Sequence, residues 1–428
     1  MPHFPRLLTA LALAASLGTP LRAETEDAGA YLAARVAEAR NDFKAATAWY
    51  GKAILSDGGD ARLLEGAVLA EIGSGDFPLA IEAAGRLKAL GGEPNQVAEV
   101  ALLADQAQRE DYAAILAGIE AGSPLGDLVT RLVGAWAKVG EGKMSEALAA
   151  FDDITKTKGF EAFGYYHKAL ALASVGDFEG ADEILSGRAA GPIFVMRRGI
   201  FAHAEILSQL ERNADALALL DRSFGTEPDP LVDALRRRLE AGEPVPFQTV
   251  RTARDGIAEV FYSVGTALNR DADPVYTLLH LRVASYLRPD HSVLFFYRGI
   301  VQEQSKDWAP AEADFRKALS LNPTQPQVLN YLGYGLVDRG EKLDEALGMI
   351  RKAVAGDPEK GYIIDSLAWA LFKLGRYDEA LEPMEKASLL EPVDPIVTDH
   401  LGDVYWMVGR KLEARFQWRR ALSFEPTE

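Results

Sequence analysis

Asp365-Ser366 and Asp399-His400 stand 34 residues apart, and a serine, a histidine and two aspartates so placed invite a hydrolytic triad. The serine would be the nucleophile, the histidine its base, and an aspartate would orient the imidazole. Both dipeptides fall in runs of helical periodicity, and packed helix axes lie about 8–10 Å apart, a spacing that permits a Ser–His contact. The oxyanion decides against the triad. Amides inside a helix are already bonded along it, so none awaits a tetrahedral intermediate. Other catalytic patterns fail on residue type. Gly140-Glu141-Gly142-Lys143 resembles the end of a phosphate-binding loop, but Ala137 replaces its first glycine and Met144 its metal-binding hydroxyl. The histidines, at 3, 167, 203, 280, 291 and 400, include no i, i+4 pair with a carboxylate, so no zinc site is suggested. No Gly-x-Ser-x-Gly elbow occurs. The residues imply no enzyme, no cofactor and no metal.

The elements that carry these residues repeat. Pro289, Pro323, Pro358, Pro392 and Pro426 are spaced by 34, 35, 34 and 34 residues, and an alanine lies five residues before each. Leu281, Phe315, Ile350, Met384 and Trp418 stand three residues before those alanines. Such a unit is a packed helix pair that cannot bury its apolar face alone, so neighbours stack into a solenoid whose extended surface binds other molecules. The same period runs through the N-terminal half. Asp42-Phe43, Asp76-Phe77, Asp111-Tyr112 and Asp177-Phe178 mark turns entering helices, with Lys143-Met144 in the slot between the last two. An aspartate there accepts the free backbone N–H groups of the first turn, and its charge suits the helix N-terminus. Ala46, Ala80 and Ala181 follow three residues beyond the aromatics, where a small side chain lets two helices approach.

Composition adds an address. The chain has 428 residues, 48% hydrophobic and 25% charged, the balance of a folded protein. Residues 1–23 read as a secretory signal peptide: Arg6, an apolar run from Leu7 to Gly18, and a small residue at the end of Leu21-Arg22-Ala23. Twelve apolar residues are too few to span a bilayer, which needs about 20. The sequence has no cysteine, so no lipid can be attached at Glu24, no disulfide forms, and a soluble periplasmic product without a membrane span is expected. Net charge is −17, or −19 once Arg6 and Arg22 leave with the leader, which disfavours nucleic acid as a partner.

Phe295, Gly299, Asp307-Trp308, Ala311, Phe315, Ala318 and Pro323 resemble a complete tetratricopeptide repeat, a 34-residue helix-turn-helix. Eleven repeats are read, beginning near residues 27, 61, 96, 128, 162, 197, 258, 292, 326, 361 and 395, with those near 96 and 197 degenerate. The fold implied is all-α, a right-handed superhelical α-solenoid. Residues 231–257, with Gly242-Glu243-Pro244-Val245-Pro246-Phe247, leave the period and are read as an irregular joint between an N-terminal array (24–230) and a C-terminal array (258–428). Gly122-Ser123-Pro124 and Gly187 to Pro192 are lesser interruptions.

Positions 2, 5, 9 and 12 of a first helix share one face. In tetratricopeptide arrays that face lines the concave groove. The last three repeats place there Gln327, Asn330, Tyr334 and Val337, then Tyr362, Asp365, Trp369 and Phe372, then Ile396, Asp399, Asp403 and Trp406. Asn330, Tyr334, Tyr362, Asp365, Trp369, Phe372, Asp399, Asp403 and Trp406 form the candidate partner-binding strip. Grooves of this family that grip a terminal carboxylate use Lys, Arg and Asn, whereas here carboxylates largely replace the cations. Aromatics and acids suit an extended or helical segment with basic and apolar residues.

Asn330-Tyr331-Leu332-Gly333-Tyr334, Asp365-Ser366-Leu367-Ala368-Trp369 and Asp399-His400-Leu401-Gly402-Asp403-Val404-Tyr405-Trp406 are similar to the C-terminal repeats of envelope adaptor proteins of the LbcA type. The similarity runs over roughly residues 250–428 and departs from that type in the absent cysteine and in Ala368, where glycine is usual. It implies a tetratricopeptide adaptor that recruits a carboxy-terminal processing protease and helps deliver cell-wall hydrolases to it. The expectation is therefore a non-enzymatic envelope scaffold binding proteins in its grooves. The alternatives are an assembly factor of an outer-membrane secretion or polysaccharide-export complex and, third, a hydrolase.

Overall fold

The computed structural model describes residues 22–188, 197–225, 230–268 and 274–424. The expected leader at 1–23 lies outside them except for Arg22 and Ala23, and so do Pro426 and residues 189–192 of one expected interruption. Among the described residues every regular element is an α-helix. Six pairs come first: α1 (Arg22–Ala39) and α2 (Phe43–Ser56), α3 (Ala61–Ser74) and α4 (Phe77–Ala89), α5 (Gln96–Gln108) and α6 (Tyr112–Glu120), α7 (Asp127–Gly140) and α8 (Met144–Thr155), α9 (Glu161–Ser174) and α10 (Phe178–Leu185), α11 (Arg197–Gln209) and α12 (Asn213–Phe224). A lone α13 (Pro230–Glu240) follows. Five further pairs complete the chain: α14 (Ala253–Leu268) and α15 (Pro274–Leu287), α16 (Ser292–Gln304) and α17 (Trp308–Leu321), α18 (Pro326–Asp338) and α19 (Leu343–Gly356), α20 (Gly361–Lys373) and α21 (Tyr377–Leu390), α22 (Pro395–Met407) and α23 (Lys411–Ser423).

Local chemistry sets the helix starts. Asp42, Asp76, Asp111 and Asp177 are N-caps whose side chains accept the backbone N–H of Ala45, Leu79, Ala114 and Gly180. Lys143, in the slot between the last two, makes no capping bond. The aromatics that follow turn inward: Phe43, Phe77 and Tyr112 are buried, as are Ala46, Ala80 and Ala181.

Close approach of neighbouring helices, both within a pair and between successive pairs, rests on glycines whose missing side chain is replaced by a ring from the adjacent helix. A Cβ on Gly66 would stand 2.3 Å from Tyr50, one on Gly140 2.4 Å from Tyr112, and one on Gly402 2.4 Å from Trp418. Gly140, within the segment that resembled a phosphate loop, is thus the last residue of α7 under an aromatic ring.

The two ends of the 231–257 stretch are helical, as α13 and the start of α14, and residues 241–252 run between them without a helix. This strap is bonded along its length. Val245 donates its N–H to Ser208 Oγ at 3.0 Å and accepts from Gln209 at 2.7 Å. Glu205 takes the N–H groups of Gln248 and Thr249, and Thr249's carbonyl receives both Arg198 and Arg288. Past the strap the chain turns back. α14 packs on α5, α7 and α9, and α15 on α3 and α5, so buried residues from Ala34 to Ile206 and from Val250 to Val301 share one core, while Ala204, Leu207, Ala216, Leu220, Val232, Leu235, Leu239 and Val245 form a smaller separate one.

Candidate functional site

The first helices of the repeats offer two inner faces, and the protein fills one of them itself. α3, α5, α7 and α9 are the first helices of repeats two to five, and α14 and α15 lie against them. Tyr286 stacks on Phe77 with ring centroids 4.1 Å apart, and Gly256 sits so close under Trp136 that a Cβ would stand 2.2 Å from the indole. Polar groups seal the contact. Glu259 accepts from Tyr166 at 2.9 Å and from Arg198 Nε at 2.7 Å. Trp136 Nε1 donates to His167 Nδ1 at 3.0 Å, and His167 Nε2 lies 3.1 Å from Ser263 Oγ. An indole N–H only donates, so Nδ1 is the bare nitrogen and Nε2 carries the hydrogen to Ser263.

Burial pushes His167 down to about 3 from its ordinary 6.5. A group depressed in this way contributes stability above its unfolded value that is lost as the pH falls from about 6.5 toward about 3. Denaturant midpoints should therefore drop between pH 7 and pH 4, and His167→Gln should drop less steeply than the parent over the same range. Equal slopes would place the acid sensitivity elsewhere.

The second inner face belongs to α18, α20 and α22, which pack on one another and on their neighbours α17, α19, α21 and α23. It carries the strip expected from the sequence, at graded depths. Asn330 and Asp365 are buried, Tyr334, Trp369, Phe372 and Asp403 half-buried, and Tyr362, Asp399 and Trp406 exposed. Val337 belongs to the core. Asp365, expected among the acids of the open strip, is engaged instead: both carboxylate oxygens lie 3.0–3.1 Å from His400 Nδ1. Trp369 lies between His400 and Phe372, stacked on each with centroids at 3.9 and 4.8 Å. Lys373 stands over Trp369 and Lys411 over Trp406, each 5.0 Å from the ring. These cations were not part of the sequence-based strip, because position 13 and the residue opening the next helix lie outside its spacing. Asp403 accepts from Trp418 Nε1 at 3.1 Å, and burial, then Asp399, raises its carboxyl above the ordinary range. Burial first, with Asp365 next, pushes the Tyr334 phenol up to about 12.

The triad geometry is not formed. Ser366 Oγ donates to the Tyr362 carbonyl of its own helix at 2.9 Å, and no hydrogen bond joins it to His400. Neighbouring helices bring Asp365 and His400 together, while the serine is spent on the helix backbone. Two buried polar atoms of the strip, Asn330 Oδ1 and Trp369 Nε1, have no partner. No group of histidines and carboxylates among the described residues is arranged to hold a metal, and no described helix is long and apolar enough to cross a membrane.

A tetratricopeptide repeat family model matches residues 362–388. The TPR repeat-containing protein PA4667 of Pseudomonas aeruginosa is 34% identical over 88 residues, which make up 21% of this chain and 15% of that protein. Similar solved structures include MamA (residues 41 to the end) of Desulfovibrio magneticus RS-1, with 20% identity, a TM-score of 0.36, and coverage of 39% of this chain and 94% of that one. Pseudomonas aeruginosa pilF has 19% identity and a TM-score of 0.37, covering 41% and 80%. YrrB, described as a TPR protein with an unusual peptide-binding site, has 19% identity and a TM-score of 0.34, covering 40% and 88%. The matched segment falls on α20 and α21, similar paired helices recur along the described residues, and the protein folds as an all-α solenoid of helical repeats that resembles tetratricopeptide repeats over that segment.

Proposed function

We propose that this chain is a non-enzymatic scaffold or adaptor of the bacterial cell envelope that takes partner proteins in the inner groove of α18, α20 and α22. The observation that carries the reading is the contrast between the two inner faces. The N-terminal face is covered by α14 and α15, whereas the C-terminal face presents stacked aromatics, exposed acids and unpartnered buried atoms. Such a surface suits a segment whose apolar side chains meet Trp406 and the edge of the His400–Trp369–Phe372 stack and whose basic side chains meet Asp399 and Asp403. The partners proposed are those implied by the sequence resemblance, a carboxy-terminal processing protease or the cell-wall hydrolases delivered to it.

Crosslinking in intact cells followed by identification of the bound proteins tests the reading. It should recover an envelope protease or hydrolase, joined to a chain whose first residue is Glu24. Recovery of cytoplasmic proteins alone, on a chain that still begins at Met1, would overturn both partner and address.

A further inference from the structure

Where the loops of the first two repeats meet α15, α16 and the start of α17, the surface opens into a groove of about 810 Å3. Its lining holds charges that the protein leaves unmatched. Arg282 on α15 is only 8% exposed, yet no hydrogen bond or ion pair among the described residues reaches its guanidinium, and its Nε is buried without a partner. One acid whose charge reaches Arg282 is already taken: Asp314 is held by Arg298 through two hydrogen bonds. Burial, and next the charge of Arg298, lowers Arg282 to about 9. Its Nη1 faces Gly75, where an added Cβ would stand 3.3 Å away.

Two more groups in the same lining are unmatched. Gln302 is 2% exposed and both its amide oxygen and amide nitrogen lack partners. Asp307, the N-cap residue of α17, makes no capping bond, and burial, followed by the charge of Asp42, raises its carboxyl above the ordinary range. The other two acids of the lining are spent, Asp42 on the N–H of Ala45 and Asp76 on that of Leu79. Arg282 and Asp307 feel each other's charge across the groove, but no ion pair joins them.

The lining carries two cations, Arg282 and Lys44, and three aspartates, so a simple anion or a simple cation would each meet charges of its own sign. One kind of ligand satisfies both ends. We propose that this groove binds a small zwitterion bearing an ammonium and a carboxylate, with the carboxylate on Arg282 and the Gln302 amide nitrogen and the ammonium on Asp307. The chemistry belongs equally to a free α-amino acid and to a short peptide with charged ends. Because the lining joins the first two repeats to α15, α16 and α17, the bound ligand would tie the start of the solenoid to its second half. The site is separate from the groove of α18, α20 and α22, so either can fail without the other.

The test is thermal unfolding of the full chain with four probes: glycine, alanyl-alanine, N-acetylglycine, which lacks the ammonium, and glycinamide, which lacks the carboxylate. Glycine or alanyl-alanine, at concentrations up to about 50 mM, should raise the midpoint in a saturable manner, since a ligand of the native state stabilises by mass action. The two blocked compounds should not. A response to glycine alone assigns free amino acids, and a response to the dipeptide alone assigns peptides. Asp307→Asn, at a half-buried side chain with no hydrogen bond, should weaken the zwitterion at least tenfold, while N-acetylglycine leaves the midpoint of both parent and variant unmoved. The proposal is overturned if N-acetylglycine stabilises the parent as much as glycine does, or if no probe moves the midpoint.

Discussion

Gly299→Leu and Gly333→Leu should each lower the unfolding midpoint of the C-terminal repeats. A Cβ on Gly299 would lie 2.5 Å from the Phe315 ring, and one on Gly333 would lie 2.6 Å from Ile350 Cγ1 and 3.2 Å from the Ala346 carbonyl. Phe315 and Ile350 are wholly buried, so neither can swing aside. Overpacking of this kind costs about 1–3 kcal/mol, and in a stacked array the loss is felt at both neighbouring interfaces. Gly348, on α19, is the control: nothing lies within 4 Å of its Cβ position. Removing a glycine's backbone freedom inside a helix is worth roughly 0.5–1 kcal/mol, so Gly348→Ala should raise the midpoint. Unchanged midpoints in both leucine variants would mean that the helices do not cross where the repeat register places them.

The second large effect is expected in the groove, where aromatic and acidic side chains should fail differently. Trp369→Ala with Trp406→Ala should weaken partner binding at any salt concentration. Buried aromatic anchors carry about 2 kcal/mol or more of interface energy, a factor of roughly thirty in affinity. Asp399→Asn with Asp403→Asn should act mainly at low ionic strength, because exposed charges set association rate and are screened by salt. Asparagine at 403 keeps an oxygen for Trp418 Nε1, so this pair should fold normally. Trp369 holds His400 and Phe372 on its two faces, so circular dichroism of the tryptophan pair must accompany the binding data. Retained affinity in both folded double variants would move the binding surface away from this strip.

The repeats were legible in the sequence because each depends on local chemistry. Asp42, Asp76, Asp111 and Asp177 cap helices for reasons contained within four residues, and alanine or glycine must recur wherever two helices cross. The return of α14 and α15 onto the N-terminal repeats was not legible. Phe77 and Tyr286 lie 209 positions apart in the chain, and nothing in either residue's neighbourhood names the other. Gly256 carried a weak signal, a glycine inside a helical run, whose reason emerges only with Trp136 above it. The groove strip was readable as a set of positions, since the spacing 3, 4, 3 defines a face. Depth along that face was not. Asp365 and Asp399 occupy equivalent positions, yet one is buried against His400 and the other is exposed, because only Asp365 has a histidine beside it on the following first helix.

Site-specific photocrosslinking in intact cells tests the central claim most directly. A photoreactive amino acid is placed, one position at a time, at the exposed groove residues Tyr362, Ile396 and Trp406 and at the exposed N-terminal residues Leu55 and Leu79. The account predicts that one partner protein is captured from the three groove positions and not from the two N-terminal ones. Capture of that partner from Leu55 or Leu79, with none from Tyr362, Ile396 or Trp406, would contradict it.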